Sequence, residues 1–227
     1  MWGHFMLHDA VLVAGKDLRI EARSRVALWQ VVPFALLVLV LLAFAIGPDQ
    51  ASLRHAAPGI FWVALLFSTV LAIQRSVAVE SGEGTRDGLR LSGIDPAGIF
   101  LGKAAAIGVQ LLALQLILWA GVTFLFDVRV HVIWLAVVAC LLATVGLACA
   151  GVLYGALSAG LRVRDTLLPL LVLPVLAPVL LAGSKVWQAA LDNNVSSGTQ
   201  WLKILIPFAV VYLVVGIVLY GPLQEAA

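Results

Sequence analysis

A chain of 227 residues that is 63% hydrophobic and only 11% charged is not composed like a water-soluble globular domain. Its 14 basic residues nearly balance 12 acidic ones, for a net charge of +2, and they form no extended basic surface. That distribution argues against a nucleic-acid partner.

Six charge-free apolar runs occupy residues 26–48, 56–74, 104–126, 132–161, 166–184 and 204–224. A helix needs about 20 apolar residues to cross a hydrocarbon core of about 30 Å, and each run reaches or nearly reaches that length. The expected fold is all-α, a polytopic membrane protein with six transmembrane helices and no room for a separate globular domain. Residues 1–25 form a leading segment, 26–221 the membrane bundle and 222–227 a short tail. Basic residues set the orientation. Lys16, Arg19, Arg23, Arg25, Arg75, Arg86, Arg90, Lys103, Arg162 and Arg164 fall on one side, against Arg54, Arg129, Lys185 and Lys203 on the other. The excess places both termini in the cytoplasm.

In chain order, the opening Met1-Trp2-Gly3-His4-Phe5 lacks a cationic stretch leading directly into an apolar cleavage signal, so the first run is expected to be retained as a span. Leu7, Val11, Ala14, Leu18 and Ala22 then repeat at helical spacing beside Asp9, Lys16, Asp17, Arg19, Glu21 and Arg23, with Arg25 following. This pattern predicts an amphipathic helix along the membrane face, its apolar stripe buried and its charges wet.

Residues 75–103 separate the second and third runs with a glycine-rich break, mixed charges and an apolar restart. A short helix over 86–91, stopped by Gly93 and Pro96, fits the local signals. Such a helix can dock on a soluble motor through Glu80, Glu83, Arg86, Asp87 and Arg90, with Leu89 and Leu91 as apolar pegs. On the residues alone, a solvated turn kept polar to stay out of lipid explains the segment equally well.

In the fourth run, Gly151 and Gly155 have the spacing of a small-residue helix contact, and Cys140 and Cys149 read as core residues because they lack redox-pair spacing. The fifth run carries Pro169, Pro174 and Pro178, which predicts a kinked or re-entrant span. Residues 185–201, with Trp187 and Trp201, are expected to anchor the outer interface or to cap a pathway. Catalytic signals are lacking. Neither Gly15-Lys16-Asp17 nor Gly183-Ser184-Lys185 makes a phosphate-binding loop, and His4, His8, His55 and His131 are scattered, which disfavours direct haem ligation.

Several segments, in their order and spacing, carry a resemblance. They are Lys16-Asp17-Leu18-Arg19-Ile20-Glu21-Ala22-Arg23-Ser24-Arg25, Gly88-Leu89-Arg90-Leu91-Ser92-Gly93, Leu101-Gly102-Lys103, and Leu167-Leu168-Pro169-Leu170-Leu171-Val172-Leu173-Pro174 with Pro178. Over essentially the whole chain they resemble the cytochrome c maturation protein B (haem exporter protein B) family. The resemblance implies an ABC-2-like permease bundle in the bacterial inner membrane, without an ATPase site of its own. It implies a separate cytoplasmic ABC ATPase subunit bound at residues 75–103, and a second membrane half that is another copy of this permease. It further implies a haem-handling membrane protein, a small membrane subunit and a periplasmic haem chaperone. ATP is then held by the partner and haem is handled by the complex, with no cofactor assigned to this chain. The implied activity is ATP-driven release of the haem-loaded chaperone, which supplies haem for covalent attachment to c-type cytochromes. Direct haem export, a general exporter permease and a non-transport membrane scaffold are the alternatives. The chain lacks the tryptophan-rich, aspartate-containing motif and the axial histidines of the haem-handling partners.

Overall fold

A computed structural model describes residues 2–24, 30–80, 95–158 and 164–226. The described residues form seven helices and no strand: α1 (Trp2–Ser24), α2 (Val32–Ile46), α3 (Gln50–Glu80), α4 (Pro96–Phe126), α5 (Ile133–Ser158), α6 (Arg164–Leu191) and α7 (Val195–Ala226). Local chemistry sets their ends. Gly47, at φ +90°, closes α2, and Asp49 caps α3 by accepting from the Ser52 amide at 2.9 Å. Asp95 caps α4 by accepting from the Ala97 amide at 3.1 Å, with Pro96 in the first turn. Left-handed Asp127 ends α4, and Asn194 opens α7 by accepting from the Ser197 amide.

Among the described residues, five helices are long and apolar enough to cross a membrane: most of α3, all of α4 and α5, residues 169–191 of α6 and residues 195–224 of α7. The first apolar run is described only in part. Its described part is α2, an apolar helix of 15 residues, which rises about 22 Å and so falls short of a full crossing by itself. The start of that run, 26–29, lies outside the described residues.

The bundle is built around α5, which packs against α3, α4, α6 and α7, while α2 lies against α3 and α4. Small residues allow the helices to approach. A Cβ at Gly151 would meet the Ile73 side chain of α3, one at Gly146 the Phe208 ring of α7, and one at Gly183 of α6 the Trp62 indole at 2.6 Å. Gly151 and Gly155 are both buried. The contact at Gly151 is therefore used inside one chain. Cys140 and Cys149 are free and buried in α5.

Pro169, Pro174 and Pro178 all lie within the single helix α6. That helix also runs on through Lys185 to Leu191, so the expected outer segment shrinks to a tight turn at residues 192–194. Trp187 is consequently not an interfacial anchor. It is 1% exposed, stacked on Phe61 at 4.0 Å and edge-on to Trp119 at 4.8 Å, and Phe61 in turn meets Trp62. These four rings join α3, α4 and α6 in the half of the bundle away from α1.

Candidate functional site

The N-terminal helix lies against α4 at the end of the bundle where α3 finishes and α4 begins. Those two helix ends flank residues 81–94. The sequence has prepared the seat: Gly98-Ile99-Phe100-Leu101-Gly102 sets two glycines one turn apart on α4. A Cβ at Gly98 would lie 2.9 Å from Asp9 Cβ, and one at Gly102 would lie 2.6 Å from Val13 Cβ and 2.7 Å from the Ala10 carbonyl oxygen. Only glycine permits this approach of the two backbones.

Polar contacts fix α1 on both flanks. The Asp9 carboxylate accepts from the Asp95 amide at 3.3 Å, just before α4. Glu21 Oε2 pairs with Arg75 Nε of α3 at 3.2 Å, the two side chains being 15% and 21% exposed. Beside this pair a cavity of about 160 Å³ is lined by Lys16, Asp17, Glu21, Arg75 and Lys103, among others. Lys103 is 4% exposed. A buried ammonium is tolerable only near compensating charge, and Asp17 and Glu21 bring two carboxylates to the same cavity.

The charges of α1 are thus sorted by sign. Asp9, Asp17 and Glu21, with Val13, follow one another at four-residue intervals and face the bundle, whereas Lys16, Arg19 and Arg23 are exposed. The expected apolar stripe is divided too: Leu7, Val11 and Ala22 are exposed, and Ala14 and Leu18 are half-buried. The acids are therefore not wet. They form the attachment, in place of the apolar stripe.

Of the predicted motor-contact residues, Glu80 falls in the last turn of α3. Glu83, Arg86, Asp87, Leu89, Arg90 and Leu91 lie outside the described residues, as does Arg25. The structure therefore brings together the two supports of that segment. Asp9, Arg75, Gly98 and Lys103 act here as attachment points that were not singled out for that role, although the 98–102 spacing carries the signal for two close glycines.

At the opposite end, Arg54, His55, Asp127, Arg129, His131 and Asp192 line an open cavity of about 660 Å³. Arg54 Nη2 pairs with Asp127 Oδ2 at 2.7 Å, and the His131 ring Nδ1 lies 2.7 Å from the Leu191 carbonyl oxygen. The His131 and Val132 amides both donate to the Ala190 carbonyl, closing the α4–α5 connection onto the end of α6. Hydrogen bonds from Ser52 hold the exposed Asp49 carboxyl below its ordinary value. Among the described residues, no three His, Cys, Asp or Glu side chains are grouped to hold a metal ion.

The profile of the CcmB protein family matches residues 8–220. The protein named heme exporter protein B from Haemophilus influenzae is 36% identical over 186 residues, covering 82% of this chain and 83% of its own length. Proteins of the same name from Rhodobacter capsulatus and Pseudomonas aeruginosa are 32% and 30% identical, covering 86% and 87% of this chain and 85% and 89% of theirs.

Proposed function

Because the chain belongs to the CcmB protein family, we propose that it is the permease subunit of an ABC-type cytochrome c maturation complex in the bacterial inner membrane. A separate cytoplasmic ATPase docks on residues 75–103 through Glu80, Glu83, Arg86, Asp87 and Arg90, with Leu89 and Leu91 inserted. Its hydrolysis of ATP drives release of a haem-loaded periplasmic chaperone from a haem-handling membrane partner. A second copy of this chain and a small membrane subunit complete the assembly, with both termini in the cytoplasm.

One observation carries this reading. Helix α1 is bound to both supports of residues 81–94, through Glu21–Arg75 on α3 and Asp9–Asp95 on α4. A motor that pulls the segment therefore moves three helices as a unit. The push shifts the bundle only if the contacts differ in energy between its states. Polar pairs suit that requirement, since ion pairs can repack across a small sliding motion.

Reconstitution with the ATPase and the haem-handling partners, followed by ATP addition, tests the proposal. Wild type should release chaperone, and Glu83→Arg or Arg86→Glu should abolish release while membrane insertion persists. Unchanged release in those variants would move the motor contact elsewhere. An active, complete assembly that releases nothing would favour direct haem passage, the reading that the relatives' name supports.

A further inference from the structure

We infer that the outward face of α1 is a binding site for the headgroup of an anionic phospholipid. A groove of about 500 Å³ runs along this face, its described lining including Val11, Leu12, Lys16, Arg19, Ile20 and Arg23. Among the described residues, no carboxylate lines it. Leu7, Val11, Leu12 and Ile20 are large apolar side chains left exposed, between 42% and 71%, on a helix whose other face is already seated on α4. In water such a stripe would be costly; against acyl chains it is buried.

The charge pattern selects the lipid. All three described acids of α1 turn inward, and Arg19 and Arg23 turn outward with Lys16 at the edge, so the described charges of the outward face are all basic. Lys16 is drawn toward Asp17 at 3.1 Å, which leaves Arg19 and Arg23, one helical turn apart, as the phosphate ligands. Arginine presents a planar fork that matches two phosphate oxygens. A zwitterionic surface would supply the same apolar contact but no net charge for these guanidinium groups. This site does not rest on the coupling reading.

The test uses the full chain purified from vesicles of phosphatidylcholine alone or mixed with phosphatidylglycerol, with retained lipid measured by mass spectrometry. Wild type should retain phosphatidylglycerol in preference to phosphatidylcholine. Arg19→Gln with Arg23→Gln should cut that preference about thirtyfold, as expected for two surface cations, and Arg19→Lys with Arg23→Lys, which keeps the charge but not the fork, should lose only part of it. If the glutamine variant does not insert, wild type alone decides: the preference must fall with added salt. Equal retention of both lipids, a preference untouched by the glutamine variant, or salt-independent retention would overturn the proposal. So would efficient cross-linking of two Leu12→Cys chains in the vesicle, which would assign the groove to a second copy.

Discussion

The two ends of the bundle are held by different physics. Away from α1, Phe61, Trp62, Trp119 and Trp187 interlock and the helix connections are short, closed by backbone bonds such as those from His131 and Val132 to Ala190. At the α1 end the described contacts include two glycines, one carboxylate on a backbone amide and one largely buried ion pair. Close-packed rings have one good arrangement and resist sliding. Ion pairs and glycine tracks can slip by a fraction of a turn and re-form. We infer from these contacts that the ring-packed end is the stiffer and the α1 end the more compliant, and the latter borders the segment proposed to meet the motor.

The same steric insult delivered to each end should separate these roles. Gly102→Ala places a methyl against Val13 and the Ala10 carbonyl, whereas Gly183→Ala places one against the Trp62 ring. Each overpacks a tight contact and is expected to cost about 1–3 kcal/mol in a thermal or denaturant melt. The functional outcomes should diverge. Gly102→Ala should lift α1, expose a cysteine placed at Val13 to labelling and uncouple ATP hydrolysis from chaperone release. Gly183→Ala should lower the melting temperature yet leave coupling per folded molecule close to wild type. Equal uncoupling by both would remove the distinction between the ends.

A smaller effect is expected from the ion pair. Glu21→Gln leaves Arg75 facing a neutral amide, and with both side chains about four-fifths buried the cost should be about 1–2 kcal/mol, below that of a fully buried pair. Exchanging the charges, Glu21→Arg with Arg75→Glu, should recover part of the loss if pairing itself matters. At the other end Arg54→Ala breaks a pair whose side chains are 52% and 64% exposed, so about 0–1 kcal/mol is expected. Melting curves of the four proteins, compared with their release rates, check both expectations.

What the sequence revealed and what it hid follow from this contrast. Five of the apolar runs are long helices because a hydrocarbon environment demands internal hydrogen bonding over that length, and run length is legible directly. The N-terminal helix was legible from its periodicity. Its sorting of charge was not, since an amphipathic pattern groups Asp9, Lys16, Asp17 and Glu21 together as polar, and only a neighbouring helix distinguishes their signs. Trp187 was misplaced because the charge of Lys185 marks the end of the fifth apolar run. Lys185 is exposed on one face of α6 while Trp187 turns inward on another. Of the motor-contact residues, Glu80 alone lies among the described ones, so their role rests on the resemblance and on the supports around them.

The smallest expected effect tests the stiff end by pH. Asp49 lies outside the spans, fully exposed, and its carboxylate accepts from Ser52, which lowers its folded value below the ordinary 3.8. A depressed carboxyl contributes stability that is fully present above the unfolded value and is lost as pH falls through the lower folded one. Acidification through that window should loosen the first turn of α3, seen as faster amide exchange at Ser52. Asp49→Asn keeps an uncharged cap, so its Ser52 exchange should lack this acid-induced step, and Asp49→Ala should be loose throughout. Release activity should stay unchanged in both, because the cap sits at the opposite end of α3 from Arg75. Sensitivity of release to Asp49 would show that strain travels the length of α3, and the compliant behaviour would then belong to the whole helix rather than to its α1 end.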